Sequence, residues 1–224
     1  SEIKTLFAAG AEKIKNKKVW ANYLSFGTYG LPHETFWQNI HQLPAGHYFE
    51  YDLNALPKVE PVKWYDFVGN IKNTPQLAEK ELKLKYLELL QDSVRLRFRA
   101  DVPVGFNISG GLDSSALLTL VNQEFPNNNS IEAFTFYTND ARYDELYWVE
   151  LMLEKTKNPL NKCLLKAVEV PELISKIAKL QEEPFGGFPT LAYNQIFAKA
   201  RAKGILVLLD GQGMDEAWAG YDYY

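Results

Sequence analysis

The 224 residues include 24 basic and 28 acidic side chains, a net charge of −4, with 46% hydrophobic and 23% charged residues. This is globular composition with enough apolar material for a core, which excludes a disordered or collagen-like chain. A pI near 5.5 argues against nucleic acid held by bulk charge. One cysteine (Cys163) and three histidines (His33, His41, His47) exclude an intrachain disulfide and a zinc cage of the usual type. No apolar run approaches the roughly 20 residues of a membrane helix, and no secretory leader is visible. The expected setting is therefore reducing and cytoplasmic, with neither membrane nor nucleic acid as partner. A start without Met and an end at Tyr224 read as a fragment of something longer.

The composition changes near Trp64–Thr74, dividing a small mixed α+β segment, 1–66, from a larger domain, 67–224. In the first, Val19 to Phe26 and Glu34 to Ile40 read as short helices. Gly46 to Tyr51 reads as a strand, residues 52–57 as a turn, and Val62 to Tyr65 as the hairpin partner. Gly69-Asn70 and Asn73-Thr74-Pro75 read as a linker. A long helix is expected to open at Thr74-Pro75, with Leu87, Leu90, Val94 and Phe98 as its apolar stripe. Strands at Val104 to Ile108, Ile131 to Tyr137, Asn161 to Lys166 and Ile205 to Leu209 then alternate with helices. These begin at Asp113, Asp144, Pro171 and Thr190. Such alternation predicts a doubly wound α/β domain with a parallel sheet covered on both faces, the last strand fully apolar.

The strand ending at Ile108 runs directly into Ser109-Gly110-Gly111-Leu112-Asp113-Ser114-Ser115, where a helix starts. Ligands of open α/β sheets bind beyond the carboxyl ends of strands. Paired glycines let the backbone approach an anion, and the new helix offers N–H groups and the positive end of its dipole. Three serine hydroxyls complete a phosphate or pyrophosphate pocket. Asp113 is repulsive to phosphate unless a cation such as Mg²⁺ lies between them. The Walker pattern is excluded because no lysine follows the glycines.

The last strand ends in a second loop, Asp210-Gly211-Gln212-Gly213-Met214-Asp215-Glu216, which places Asp215 102 residues after Asp113. If the two strands are neighbours at the switch point, the two carboxylates can share one cation.

The run from Ser109 to Ser115 resembles the pyrophosphate loop of the ATP pyrophosphatases, in the spelling of the asparagine synthetase family. Gly211 to Tyr221 resembles that family's Gly-x-Gly-x-Asp-Glu-x-x-x-Gly-Tyr signature. Ser1-Glu2-Ile3-Lys4, Phe36 to Tyr48 and Glu183-Pro184-Phe185 resemble further family segments. By resemblance the fold is of the adenine nucleotide α-hydrolase type, and residues 1–66 are the tail of a glutaminase domain with its connector. The rest is a truncated synthetase domain. The resemblance also implies ATP and Mg²⁺ as cofactors. It places Ile108, Ser109, Gly110, Gly111, Leu112, Asp113, Ser114, Ser115, Phe136, Asp210 and Gly211 at the nucleotide, with backbone at Ile108, Phe136 and Gly211 on the adenine. Asp113 and Asp215 hold the metal, and Asp113, Asp215 and Gln212 are the catalytic positions. The implied reaction adenylates a carboxylate, aspartate first among candidates, with release of pyrophosphate. Ammonia, made from glutamine by the missing domain, then forms the amide. A homodimer is left open.

Three departures matter. Gln212 stands where the family carries an acid able to take a proton from the attacking amine. No N-terminal cysteine is present. The late catalytic lysine lies beyond Tyr224. Hence this chain alone is expected neither to hydrolyse glutamine nor to turn over. A relative amidating another carboxylate, and a nucleotide-binding module without turnover, stay open beside the ligase. Cys163 reads as a core residue. Arg95, Arg97 and Arg99 read as a solvated helix end, and Trp37, Trp64, Tyr143 and Trp148 as core or interface.

Overall fold

The computed structural model describes residues 2–52, 54, 60–126 and 131–221. Ser1, and most of the turn expected over residues 52–57, lie outside the described residues. Two compact units form, Ser1–Leu77 and Ala78–Tyr224.

In the first unit, α1 (Ile3–Ala8) and α2 (Lys17–Phe26) precede a hairpin of β1 (His47–Tyr48) and β2 (Val62–Lys63). The Asn16 side chain caps α2 by accepting from the Val19 N–H at 3.4 Å, and Gly27 in the left-handed region ends it. The unit's core is aromatic: Trp20, Tyr23 and Tyr29 set their rings roughly edge-on against Phe36, which is buried.

The helix expected over Glu34 to Ile40 does not form. The Thr35 hydroxyl meets the Ile40 carbonyl at 2.7 Å and accepts the Trp37 N–H at 3.1 Å, while Asn39 takes φ 63°. A hydroxyl that captures nearby backbone groups competes with the helical ladder. The expected linker also folds differently. Residues Phe67–Lys72 form α3, and the Thr74 hydroxyl donates to the Asn70 carbonyl at 2.9 Å. Thr74 therefore closes α3 and does not open the long helix, α4 (Glu79–Arg97), which begins five residues later.

The second unit continues with β3 (Val104–Asn107), α5 (Leu112–Glu124), β4 (Ala133–Tyr137), α6 (Leu146–Thr156) and β5 (Leu160–Leu164). It ends with α7 (Val170–Gln181), α8 (Phe188–Ala202), β6 (Val207–Leu209) and α9 (Met214–Trp218). The sheet order is β5-β4-β3-β6, every neighbour pair parallel, with Phe106 opposite Ala133 on one side and Leu209 on the other. Alternation along the strands sends Phe106 and Ile108 to one face, where they meet Val94 of α4, Leu118 and Val121 of α5, and Val149 and Leu153 of α6. Phe134 and Cys163 go to the other, against Ile196 and Ala200 of α8. The sheet is thus covered on both faces, as expected of a doubly wound domain. Cys163 is a buried core residue.

Gly105 shows how tightly the strands fit: a Cβ there would lie 2.9 Å from Leu208 Cδ2 and 3.0 Å from the Phe134 ring. Truncating that ring, Phe134→Ala, is expected to cost about 3–5 kcal/mol in denaturant unfolding, because the surrounding strands cannot close the cavity. β6 is half-buried and, among the described residues, stands at the edge of the sheet, with Leu206 beside it 51% exposed. Of the aromatics expected in the core or at an interface, Trp64, Tyr143 and Trp148 are exposed, which excludes the core alone. On α4, Leu90, Val94 and Phe98 pack on the core while Leu87 remains exposed. Arg95 pairs with Glu124 at 3.6 Å.

Candidate functional site

The strand order reverses at β3: β4 and β5 lie on one side and β6 on the other. The loops leaving β3 and β6 therefore rise side by side, which is the position where open α/β sheets bind ligands. Between them lies a crevice of about 580 Å³ lined by both loops.

The first loop is held by its own polar groups. Gly110 has φ +86°, and a Cβ there would meet the Glu145 carbonyl at 3.1 Å and Trp148 Cβ at 3.2 Å, so the loop presses against the start of α6. Ser114 is buried. Its hydroxyl donates to the Gly111 carbonyl at 3.2 Å and accepts the Ser109 N–H at 3.3 Å, with the Ser109 hydroxyl 3.2 Å away. Ser109 Oγ in turn accepts the Gly111 N–H at 3.3 Å. Ser114 is thus an internal staple of the loop. Ser114→Ala should cost about 1–3 kcal/mol in chemical denaturation, since it leaves the Ser109 N–H without that partner.

The second loop approaches the first at Gly211. A Cβ on Gly211 would lie 2.9 Å from the Ser114 nitrogen and 3.2 Å from Asp113 Cβ. Gly213 turns the chain with φ +97° into α9. Asp215 is cupped by Gly220, where a Cβ would overlap its carboxylate. Asp113 and Asp215, the two acids read from the sequence, line the same crevice, close enough for the Asp215 charge and backbone N–H to act on the Asp113 carboxyl. Burial first, then the negative charges of Asp215 and Glu216, push the Asp113 carboxyl above the ordinary carboxylate range, and that N–H opposes the rise. Glu216 lies below its usual range, held there by its own backbone N–H and by the Tyr221 hydroxyl, which donates at 2.8 Å.

Among the described residues no lysine or arginine lines the crevice. Adjacent carboxylates without a basic partner are the donor set of a hard divalent cation. Among the described residues no three His, Cys, Asp or Glu side chains gather into a complete metal cage. Asp113 and Asp215 would supply two carboxylates, with phosphate oxygens and water as the remaining ligands.

Ser109, Gly111, Leu112, Asp113, Ser114, Asp210, Gly211, Gln212 and Asp215 all border the crevice, whereas Ile108, Gly110, Ser115 and Phe136 are not on its lining. The buried Ile108 commits its N–H to the Phe134 carbonyl at 2.8 Å. Phe136 packs, half-buried, on the α8 face of the sheet, against the same cluster as Tyr193. Ser115 gives its N–H to the Gly111 carbonyl at 3.2 Å in the first turn of α5.

Two lining residues had escaped the sequence reading. Asn107, buried at the end of β3, and Tyr193, from α8, meet at the crevice floor. Burial, and then the Asp210 carboxylate, push the Tyr193 hydroxyl above the usual phenol range, and the neighbouring Asn107 and Gln212 side chains oppose that rise. Asn107 carried a legible signal, a polar residue closing an apolar strand. Tyr193 carried none, since an aromatic in an amphipathic helix reads as packing.

The family model for asparagine synthase matches residues 85–224. A putative glutamine-hydrolysing asparagine synthetase from Methanocaldococcus jannaschii is 31% identical over 99% of this chain and 42% of its own length. Asparagine synthetase 2 of Bacillus subtilis is 30% identical over 99% of this chain and 31% of its own. An amidase, chyE, from Penicillium rubens is 25% identical over 85% of this chain and 30% of its own. The chain spans less than half the length of these curated relatives.

Proposed function

The chain belongs to the asparagine synthase family, and from that premise we propose that it carries the nucleotide-binding part of an ATP-dependent, amide-forming ligase. The observation that carries this reading is the meeting of two loops at the switch point, with Gly211 packed on Asp113 and Ser114. Such a junction serves a polyphosphate spanning both loops. Backbone N–H groups at the start of α5 would hold its phosphate oxygens. A contact with adenine at Ile108 would use its carbonyl, because the N–H is taken.

A divalent cation held by Asp113 and Asp215 would neutralise charge developing on the leaving pyrophosphate. The chain's own part is to orient. The first loop, stapled by Ser114, fixes the phosphates while a substrate carboxylate displaces pyrophosphate at the α-phosphorus. Fixed donors then favour the charged transition state without reorganising. Ammonia displaces AMP from the acyl-adenylate. Residues 1–66 fit the reading as the end of a glutamine-hydrolysing domain and its connector, the source of that ammonia.

A specific observation favours a second acceptor class. Gln212 replaces the acid of the family signature, and the relatives include a protein named an amidase. Aspartate is the first acceptor to test, and sugar acids or β-amino-acid precursors follow. ATP–pyrophosphate exchange by the full-length protein, run with each acid in turn, separates the readings. Exchange with aspartate supports asparagine formation, and exchange with another acid alone supports the second acceptor class. No exchange with any acid leaves a nucleotide-binding module and overturns the ligase.

A further inference from the structure

With an amide at position 212, the amine's proton needs another destination, and the crevice offers one two residues earlier. The Asp210 carboxylate accepts the backbone N–H of Gln212 through Oδ1 at 3.1 Å. An acid at 210 therefore sits within a hydrogen bond of the residue whose side chain would otherwise be the acid. Asp210 lies on the crevice wall with Ser109 and Asp113, at the end of the edge strand β6. Its second oxygen, Oδ2, takes no hydrogen bond among the described residues. The Tyr193 hydroxyl lines the same crevice, close enough to feel the Asp210 charge and the Asn107 and Gln212 side chains. With an amide at 212, the carboxylate at 210 is the proton-accepting group beside it.

We propose that Asp210 is the proton acceptor of the amide-forming step, in place of the acid missing at 212, with Tyr193 as the residue that positions Gln212 and Asp210. This rests on the ligase reading. In the step, the nitrogen lone pair of ammonia forms the C–N bond to the acyl carbon. The C–O bond to AMP breaks, its electron pair leaving on the AMP phosphate oxygen. One N–H proton passes to Asp210 Oδ2, and the products are the neutral amide and AMP.

The test uses the full-length protein with ammonium chloride as nitrogen source, and reads the ratio of amide formation to ATP–pyrophosphate exchange. Exchange reports adenylation alone, so dividing by it cancels any effect of a substitution on nucleotide binding and isolates the step assigned to Asp210, while cooperative denaturant unfolding verifies that each variant is folded. Asp210→Asn is expected to lower the ratio about 100-fold, the scale of a lost general base. Adding Gln212→Glu to that variant should return the acid to the neighbouring position and recover at least about tenfold. Tyr193→Phe should lower the ratio by about tenfold, by loosening the pair it positions. A ratio unchanged in Asp210→Asn, or a loss that Gln212→Glu does not recover, overturns the assignment. Absence of exchange in the parent protein with every acid would instead remove the ligase reading, and this assignment with it.

Discussion

Gly211→Ala is expected to lower ATP–pyrophosphate exchange by at least about 100-fold, from a single methyl group. The position is not left-handed, so backbone strain is not the cause. The methyl carbon would fall 2.9 Å from the Ser114 nitrogen and 3.2 Å from the α carbon of the same residue. Both are backbone atoms of the first turn of α5, which cannot swing aside as a side-chain tip could. One loop must retreat from the other by several tenths of an ångström, and the Asp215 side of the crevice retreats from Asp113 with it. Overpacking of this kind also costs about 1–3 kcal/mol of stability. The diagnostic result is therefore exchange lost from a protein that still unfolds cooperatively. Gly213→Ala, at φ +97° with nothing within 4 Å, serves as the control for strain without a clash.

Asp113→Asn is expected to abolish Mg²⁺-dependent exchange while stabilising the ligand-free protein at neutral pH. Burial and two neighbouring carboxylates raise the folded-state value of this group above its ordinary 3.8. A raised acid binds its proton more tightly folded than unfolded, so it destabilises the fold once pH exceeds the folded value. The destabilisation fades as pH falls through that value toward 3.8. The asparagine variant carries no such charge. Its melting temperature without ligand should exceed wild type at pH 7, and the difference should vanish on acidification through the window above 3.8. Mg²⁺ with ATP should reverse the order at neutral pH, since only wild type gains the ligand's binding energy. The carboxylate thus costs stability that bound cation offsets.

The strands and helices that build the site were legible because they are long, periodic and bounded by glycine loops. β3, β4, β5 and α5 through α8 fall within a few residues of where their apolar patterns placed them. Both glycine loops were readable for the same reason, since small residues directly after a strand signal backbone approach to something. The failures share one cause, side chains that bond their own backbone. Thr35 uses its hydroxyl to hold a turn where the pattern favoured a helix, and Thr74 closes α3 when it looked like the cap of α4. Ser114 belongs with them: it read as a donor to phosphate, and its hydroxyl is engaged within the loop. Tyr193 was illegible for a different reason. Its meaning comes from α8 crossing the end of β3, a tertiary contact between residues 86 positions apart that periodicity cannot express. β6 shows the limit of hydropathy, which identifies an apolar strand but not its place, at the edge of the sheet among the described residues.

The shared cation is tested most directly by calorimetric titration of ATP into the full-length protein, with and without Mg²⁺, for wild type, Asp113→Asn, Asp215→Asn and the double variant. Two carboxylates on one ion act as a unit, so each single variant should lose nearly the whole Mg²⁺-dependent gain in affinity, and the double variant little more. A gain that survives in either single variant, or two partial losses that simply add, would mean the carboxylates do not hold one ion between them.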